Sequence, residues 1–535
     1  MNMKNISKLI LGVCLSSSVL MSGCIEETFP TDVATEDQLG SSSKATEALL
    51  WAMPAYFNTF QLLPSRADYD WGYGSLMHIR DVMTEDMPIA YSGSGYDWYT
   101  SWEKNQYISE EYMSSQFIWW YYYKFVQTAN NMIGAIDVET ASDLQLGYLG
   151  AGYAFRALAY LDMARMYEFL ENDKVSSVNA SGNDVLHLTV PIVKEGMTEA
   201  EARNNPRVSR EVMAEFILND LNNAEQYIVK LQESSKTLPH LDVVYGLKAR
   251  YYMWLEDYAN AKEYARKAIN ETDVTPMTED QCLSTTKGFN DLSCWMWGSQ
   301  LKSEDAQVKS GIITWTSWMS NETTYGYSGQ EPYLMINARM YDRISDTDFR
   351  KKMWKAPAGT ALEGQTPFID AEFGEKLPDY ASVKFRPNEG NMETSNVGNA
   401  SAFPVMRVEE MYFIEAEAAE HLAAGSGKAL LEDFMKSYRD PQYMCQSSNI
   451  VDEIVFQKRV ELWGEGQTYF DVKRLNMSVN RGYHGTNFYD LARLNTEGRP
   501  AWMNFCIVRQ EKDNNQALIG YENPNPENAY TPWTE

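Results

Sequence analysis

The chain reads as mostly α: a tetratricopeptide-like helical scaffold carrying an irregular, loop-rich inserted subdomain. Three observations predict this. In LPHLDVVYGLKARYYMWLEDYANAKEYARKAI (238–269), Ala249, Tyr252, Ala261 and Ala268 stand where two antiparallel helices of a repeat unit approach closely, and Glu256-Asp257 supplies the polar turn. The pattern recurs in LGAGYAFRALAYLDMARMYE (149–168), where Ala157 and Tyr160 repeat the Ala249 and Tyr252 relationship. It recurs again in VMRVEEMYFIEAEAAEHL (405–422), which passes through Gly425-Ser426-Gly427 into a second helix, KALLEDFMKSYRD. Finally, the helical rhythm breaks after Thr272 for well over a hundred residues, too long for one loop in a compact domain.

Each element has its own justification. Leu247, Tyr251 and Leu255 form an i, i+4, i+8 stripe on the first helix of the 238–269 unit, and Ala261, Ala265 and Ala268 form a smaller one on the second. One such pair cannot bury its own apolar face, so partner helices are expected elsewhere in the chain. These stripes read as scaffold, with no ligand role.

In chain order, Met1 to Gly23 carries Lys4 and Lys8, the apolar run LILGVCLSSSVLM, and Ser22-Gly23 directly before Cys24. Hydrophobic, small, small, Cys is the pattern of a bacterial lipoprotein signal, so residues 1–23 are expected to be removed and Cys24 acylated. The run is too short to span a bilayer. A lipidated tether occupies 24–44, and Ser42 or Ser43 caps a helix through Ala48, Leu49, Ala52 and Tyr56. The N-terminal helical region covers 45–271. Within it, 64–102 is a helix fragment and long loop dense in Tyr, Trp and Asp, helix returns at 119–137, and LTVPIV gives a short strand before a helix over 210–233. The inserted subdomain covers 272–400, and a C-terminal helical region, 401–535, closes the scaffold.

Bulk composition excludes several function classes. With 535 residues, 44% hydrophobic and 22% charged, the chain has the composition of a folded protein and is long enough for a large core or several domains. A formal net charge of −28 and a pI near 4.7 would repel nucleic acid and anionic lipid. The 34 Tyr and 15 Trp exceed the 20 Phe, a skew toward rings with a polar handle that serve wet surfaces as well as cores.

No catalytic or cofactor motif stands out. The five His residues, at 78, 187, 240, 421 and 484, show no metal-ligand spacing, and Gly93-Ser94-Gly95 sits among aromatics rather than at a phosphate-binding strand-to-helix turn. No cofactor and no metal are expected. Cys282, Cys294, Cys445 and Cys506 form no Cys-x-x-Cys pair; Cys282 and Cys294 are either bridged or buried as thiols. Asp346-Thr347-Asp348 lacks the Gly and Glu of a calcium loop and reads as a helix cap before Phe349.

The acylation signal, GYAFRALAYLDMARMY, the two-helix unit, RVEEMYFIEAEAAEHL and above all IVFQKRVELWGEGQTYFDVKRL (454–475) resemble the SusD/RagB family of Bacteroidetes outer-membrane nutrient-binding lipoproteins. Glu461-Leu462, Glu465-Gly466 and Asp471 match the family pattern, whereas Gln457-Lys458 replaces the usual Glu-Arg and Thr468 a common Arg. The resemblance implies a lipid-anchored, surface-exposed lid on a SusC-like TonB-dependent transporter, capturing oligosaccharides without cutting them. A peptide-binding RagB-like lid and a surface glycoside hydrolase are the alternatives. The acids at 26 and 27, just behind Cys24, fit the surface-display signal of such lipoproteins.

A sugar ring presents an apolar face and a rim of hydroxyls, so its receptor needs aromatic platforms beside charged or amide groups. Two stretches offer both: Arg80, Asp81 and Asp86 with Tyr96, Trp98 and Tyr99; and Trp295, Trp297, Trp315 and Trp318 with Tyr325 and Tyr327. Trp295 and Trp297 share a face only in an extended segment, Trp315 and Trp318 only in a helix. Core packing is the competing explanation for each Trp. The resemblance favours Trp98, after the Gly-Ser-Gly loop, and an aromatic in 315–327.

Overall fold

The computed structural model describes residues 43–535 except 65, 66, 92, 94 and 96, so the signal segment, Cys24 and Tyr96 lie outside the described residues. Helices α1 (Ser43–Tyr56), α2 (Tyr73–Val82), α3 (Met113–Gly134), α4 (Asp143–Tyr167) and α5 (Arg210–Ile228) build the first half. Helix α4 begins with a reciprocal cap, in which Ser142 accepts from the Gln145 amide and the Gln145 side chain accepts from that of Ser142. From Leu146 onward it is buried on nearly every side, the condition of a central helix, and it packs against α3 and α5. Gly147 and Gly150 make that approach possible: a Cβ at either would meet backbone of Leu231 or Ile228 at 2.6 and 2.5 Å.

The 238–269 unit is a helical hairpin, α6 (Leu241–Trp254) and α7 (Tyr258–Glu271). Glu256 turns the chain at φ 58°, and Asp257 caps α7 by accepting from the Asn260 amide. Leu247, Ala249, Ala261, Ala265 and Ala268 are all fully buried. The next hairpin, α8 (Val408–Leu422) and α9 (Ser426–Tyr438), turns at Gly425 with φ 84°, and its first helix packs directly on α7. The intervening segment therefore leaves one hairpin and returns to the next. Its two ends are stitched together by an antiparallel strand pair, β1 (Trp297–Gln300) with β2 (Ala402–Met406). Helices α10 (Ile450–Glu461) and α11 (Thr468–Arg474) follow.

Two local expectations need correction. The stretch 188–193 is no strand; it makes a single bridge, Leu188 with Ser209, and Thr189 donates to the Val208 carbonyl, a ladder too short to continue through Pro191. The helix expected to reach 233 ends at Ile228. All four described cysteines are free and buried. Asp348 caps the short turn Phe349–Met353 by accepting from the Arg350 amide.

The motif at 454–475 is the hub of a buried ionic lattice. Glu461 meets Arg439 at 2.7 Å, Arg407 at 3.0 Å and Arg350 at 3.1 Å, while Glu465 binds Lys384 at 2.7 Å and Arg407 at 2.9 Å. Burial pushes the Glu461 carboxyl up, but the three guanidinium groups outweigh it and hold it well below the carboxylate range. Lys458 pairs with Asp471 at 2.8 Å, and Asp471 also meets Arg474 at 3.1 Å. This lattice ties α8, α10 and α11 to the inserted segment.

Candidate functional site

The charged half of the first candidate stretch is structural. Arg80 lies on α2, whose residues are all buried. Its guanidinium donates to Asp162 at 3.1 Å, to the Tyr122 hydroxyl at 3.0 Å and to the Gly466 carbonyl at 3.0 Å. Asp81 accepts from the Gly466 amide at 2.9 Å, and burial raises its carboxyl well above the ordinary range. Asp86 is bound by Arg459. These three groups fasten α2 to α10 and α11 and offer nothing to a ligand, a correction forced by saturated hydrogen bonding in the interior. Tyr99 is likewise inside, its hydroxyl 2.7 Å from Ser75 Oγ and its ring against His78 and Trp318.

The second stretch is corrected in the same way. Trp297 opens β1 and donates through Nε1 to the Thr237 carbonyl at 3.1 Å, with its ring against Phe57 and Phe155. Trp295 is fully buried beside it. Trp315 and Trp318 do occupy one short helix, but Trp315 stacks on Phe403 at 4.8 Å and Trp318 on Tyr327 at 4.2 Å. The Tyr327 hydroxyl donates to Asp68. Large flat rings gain most by removal from water, and here they fill the interior between the inserted segment and α2. Only Tyr325 in this set is half-buried.

What remains at the surface is a loop with fixed ends. The chain leaves the core at Ile89, bridged to Leu334, and re-enters it at Tyr99. Between them Gly93 and Gly95 adopt φ 68° and 86°, and a Cβ on either would touch nothing, so both positions are open. The loop presents Tyr91, 48% exposed, and Trp98, 40% exposed. Tyr91 stacks on Tyr489 at 4.9 Å with planes 26° apart, and the Lys104 ammonium lies 5.7 Å from its ring centre. Beneath, burial pushes the Glu103 carboxyl up to about 8, with Arg481 opposing. Rings of this kind, propped from below and open above, can stack on a sugar face while Lys104 reaches its hydroxyls.

Tyr91 lay within the aromatic loop that the sequence marked, but its exposure was not readable there. Tyr489 had no signal at all, because only the tertiary fold brings the C-terminal region under the 89–99 loop.

Comparison with known proteins fits this architecture. Residues 359–530 match the SusD family model. The fold is SusD-like. A SusD-like carbohydrate binding protein from Bacteroides vulgatus ATCC 8482 superposes with TM-score 0.69 at 21% identity, covering 90% of this chain and 98% of the other. A SusD superfamily protein from Bacteroides thetaiotaomicron VPI-5482 gives TM-score 0.66 at 16% identity, over 90% and 99% of the two chains. Surface glycan-binding protein A from Bacteroides thetaiotaomicron, in complex with laminarihexaose, gives 0.62 at 16% identity, over 90% and 99%. No curated protein matches the chain. In this chain the family-matching segment supplies Tyr489 and every member of the ionic lattice named above except Arg350, while Tyr91 and Trp98 come from outside it.

Proposed function

We propose that the chain is a non-catalytic, cell-surface nutrient-binding lipoprotein that captures oligosaccharides and passes them to a SusC-like TonB-dependent transporter. The observation that carries this reading is the pair of exposed rings, Tyr91 and Trp98, on a loop anchored at both ends in a SusD-like fold. A similar fold that binds laminarihexaose in another protein supports the substrate class. The lipoprotein pattern ending in Cys24 supports anchoring, and no described helix is long and apolar enough to cross a membrane. Delivery across the outer membrane then requires a separate transporter.

A glycan array on the purified protein, paired with a reducing-sugar release assay on every glycan bound, tests the proposal. The expected result is retention of one oligosaccharide class with no release. Release of reducing ends would establish a hydrolase, and peptide binding without glycan binding would establish a peptide lid.

A further inference from the structure

Away from the aromatic loop, a cavity of about 170 Å³ opens among the end of α4, the start of α5, α6, α8 and α11. Its lining is unlike the rest of this chain, which carries a net charge of −28. Seven arginine and lysine side chains line it against four carboxylates. Exposed His187 and Glu256 stand among the lining residues, so the cavity communicates with solvent.

Four of the cations are incompletely matched, among them Arg474, which pairs with Glu417 and Asp471 through Nη2 while its buried Nη1 has no hydrogen-bond partner among the described residues. Arg250 is 3% exposed; its Nε and Nη2 are held by Glu410 at 2.8 and 2.6 Å, yet its Nη1 has no hydrogen-bond partner among the described residues. Lys473 donates only to the carbonyls of Met166 and Glu168, at 2.9 and 2.8 Å, leaving one of its three donors. Arg499 reaches the carbonyls of Lys473, Glu171 and Arg474, at 2.7, 3.0 and 3.5 Å, and what it lacks is countercharge: it forms no ion pair with a carboxylate among the described residues. A buried guanidinium N–H without an acceptor is costly, and native proteins rarely leave one unless something else supplies the acceptor.

We propose that this cavity binds a small oxyanion, of the phosphate, sulfate or carboxylate class, between Arg250, Lys473 and Arg499. Such a group fits the volume and accepts from several N–H donors at once. Guanidinium groups bind it through paired hydrogen bonds, and the ammonium acts as a point charge. Burial pushes the Lys473 ammonium well below the ordinary lysine range, with Glu168 only partly offsetting it, and burial lowers Arg499 as well. Both are the behaviour of cations short of countercharge. The cavity's lining includes neither Tyr91, Trp98 nor Lys104, so none of its residues is among those assigned to the glycan.

The experiment is titration calorimetry of the purified protein with inorganic phosphate, sulfate and acetate, against chloride at matched ionic strength. Saturable one-to-one binding of at least one oxyanion is expected, weakened about tenfold or more in Arg499→Gln and in Lys473→Gln, with partial recovery in Arg499→Lys. Absence of oxyanion binding overturns the proposal, as does binding that neither glutamine variant alters. Should the variants fail to fold, crystals of the wild-type protein soaked in selenate decide it: anomalous density in the cavity supports the proposal, and density only elsewhere refutes it.

Discussion

Replacing Trp98 by Ala separates a binding ring from a packing ring. Trp98 is 40% exposed, so of the roughly 250 Å² of a Trp side chain about 100 Å² remains available to a ligand. At about 25 cal/mol per Å², covering all of it is worth about 2.5 kcal/mol. A sugar covers one face, so about 1–2 kcal/mol is the reasonable loss, roughly a tenfold rise in Kd. Stability should change less than at a fully buried ring, because Trp98 is already 40% exposed. Trp318 is the control: it is 2% exposed and stacked on Tyr327, so Trp318→Ala should cost about 3–5 kcal/mol of folding stability. Calorimetric titration with the glycan selected on the array, alongside differential scanning calorimetry, measures both quantities. The reasoning fails if Trp98→Ala binds like wild type with an unchanged Tm, or if Trp318→Ala abolishes binding while leaving Tm intact.

Four further outcomes are expected. Glu461→Gln should destabilise the protein by about 3–5 kcal/mol in urea unfolding, since it leaves three buried guanidinium groups short of a partner. The wild-type contribution should be complete above the ordinary carboxylate pKa and vanish as pH falls through the depressed native value, a slope the variant lacks. Glu103 behaves oppositely: between its ordinary value of 4.5 and about 8 the native state keeps a proton that the unfolded chain has lost. Stability should therefore fall with rising pH in that window, by at most about 1.4 kcal/mol per unit, and Glu103→Gln should flatten the profile and gain stability at pH 8. Cys24→Ala should shift the protein from membrane to soluble fractions and alter its mature mass; unchanged mass and fractionation would remove the anchor. Mild-detergent pull-down from native membranes should recover a SusC-like transporter, and recovery of this protein alone, where comparable lids stay bound, would count against delivery.

The helical scaffold was legible because its cause is local. Small residues at 249, 261, 265 and 268 repeat at helical spacing, and that spacing alone puts them on the faces where α6 and α7 meet. The Glu461 and Glu465 pattern stood out through the family resemblance alone, and its partners Arg350, Lys384, Arg407 and Arg439 come from other segments of the chain. The candidate site was only half legible. A run dense in Trp and Tyr says that rings are present, but the same chemistry serves core and platform, and exposure is set by whatever packs on top. Trp315 and Trp318 shared a short helix and were covered by Phe403 and Tyr327; Trp98 was covered only in part and keeps 40% of its surface exposed. Tyr489 beneath Tyr91, and Arg250, Lys473 and Arg499 around one cavity, come from segments far apart in the chain. Sequence by itself determined which stretches are helices and which residues carry rings and charges, because those follow from neighbours within a few positions. Only the tertiary structure decided which rings meet water and which cations lack an acceptor, because both depend on what a distant segment covers.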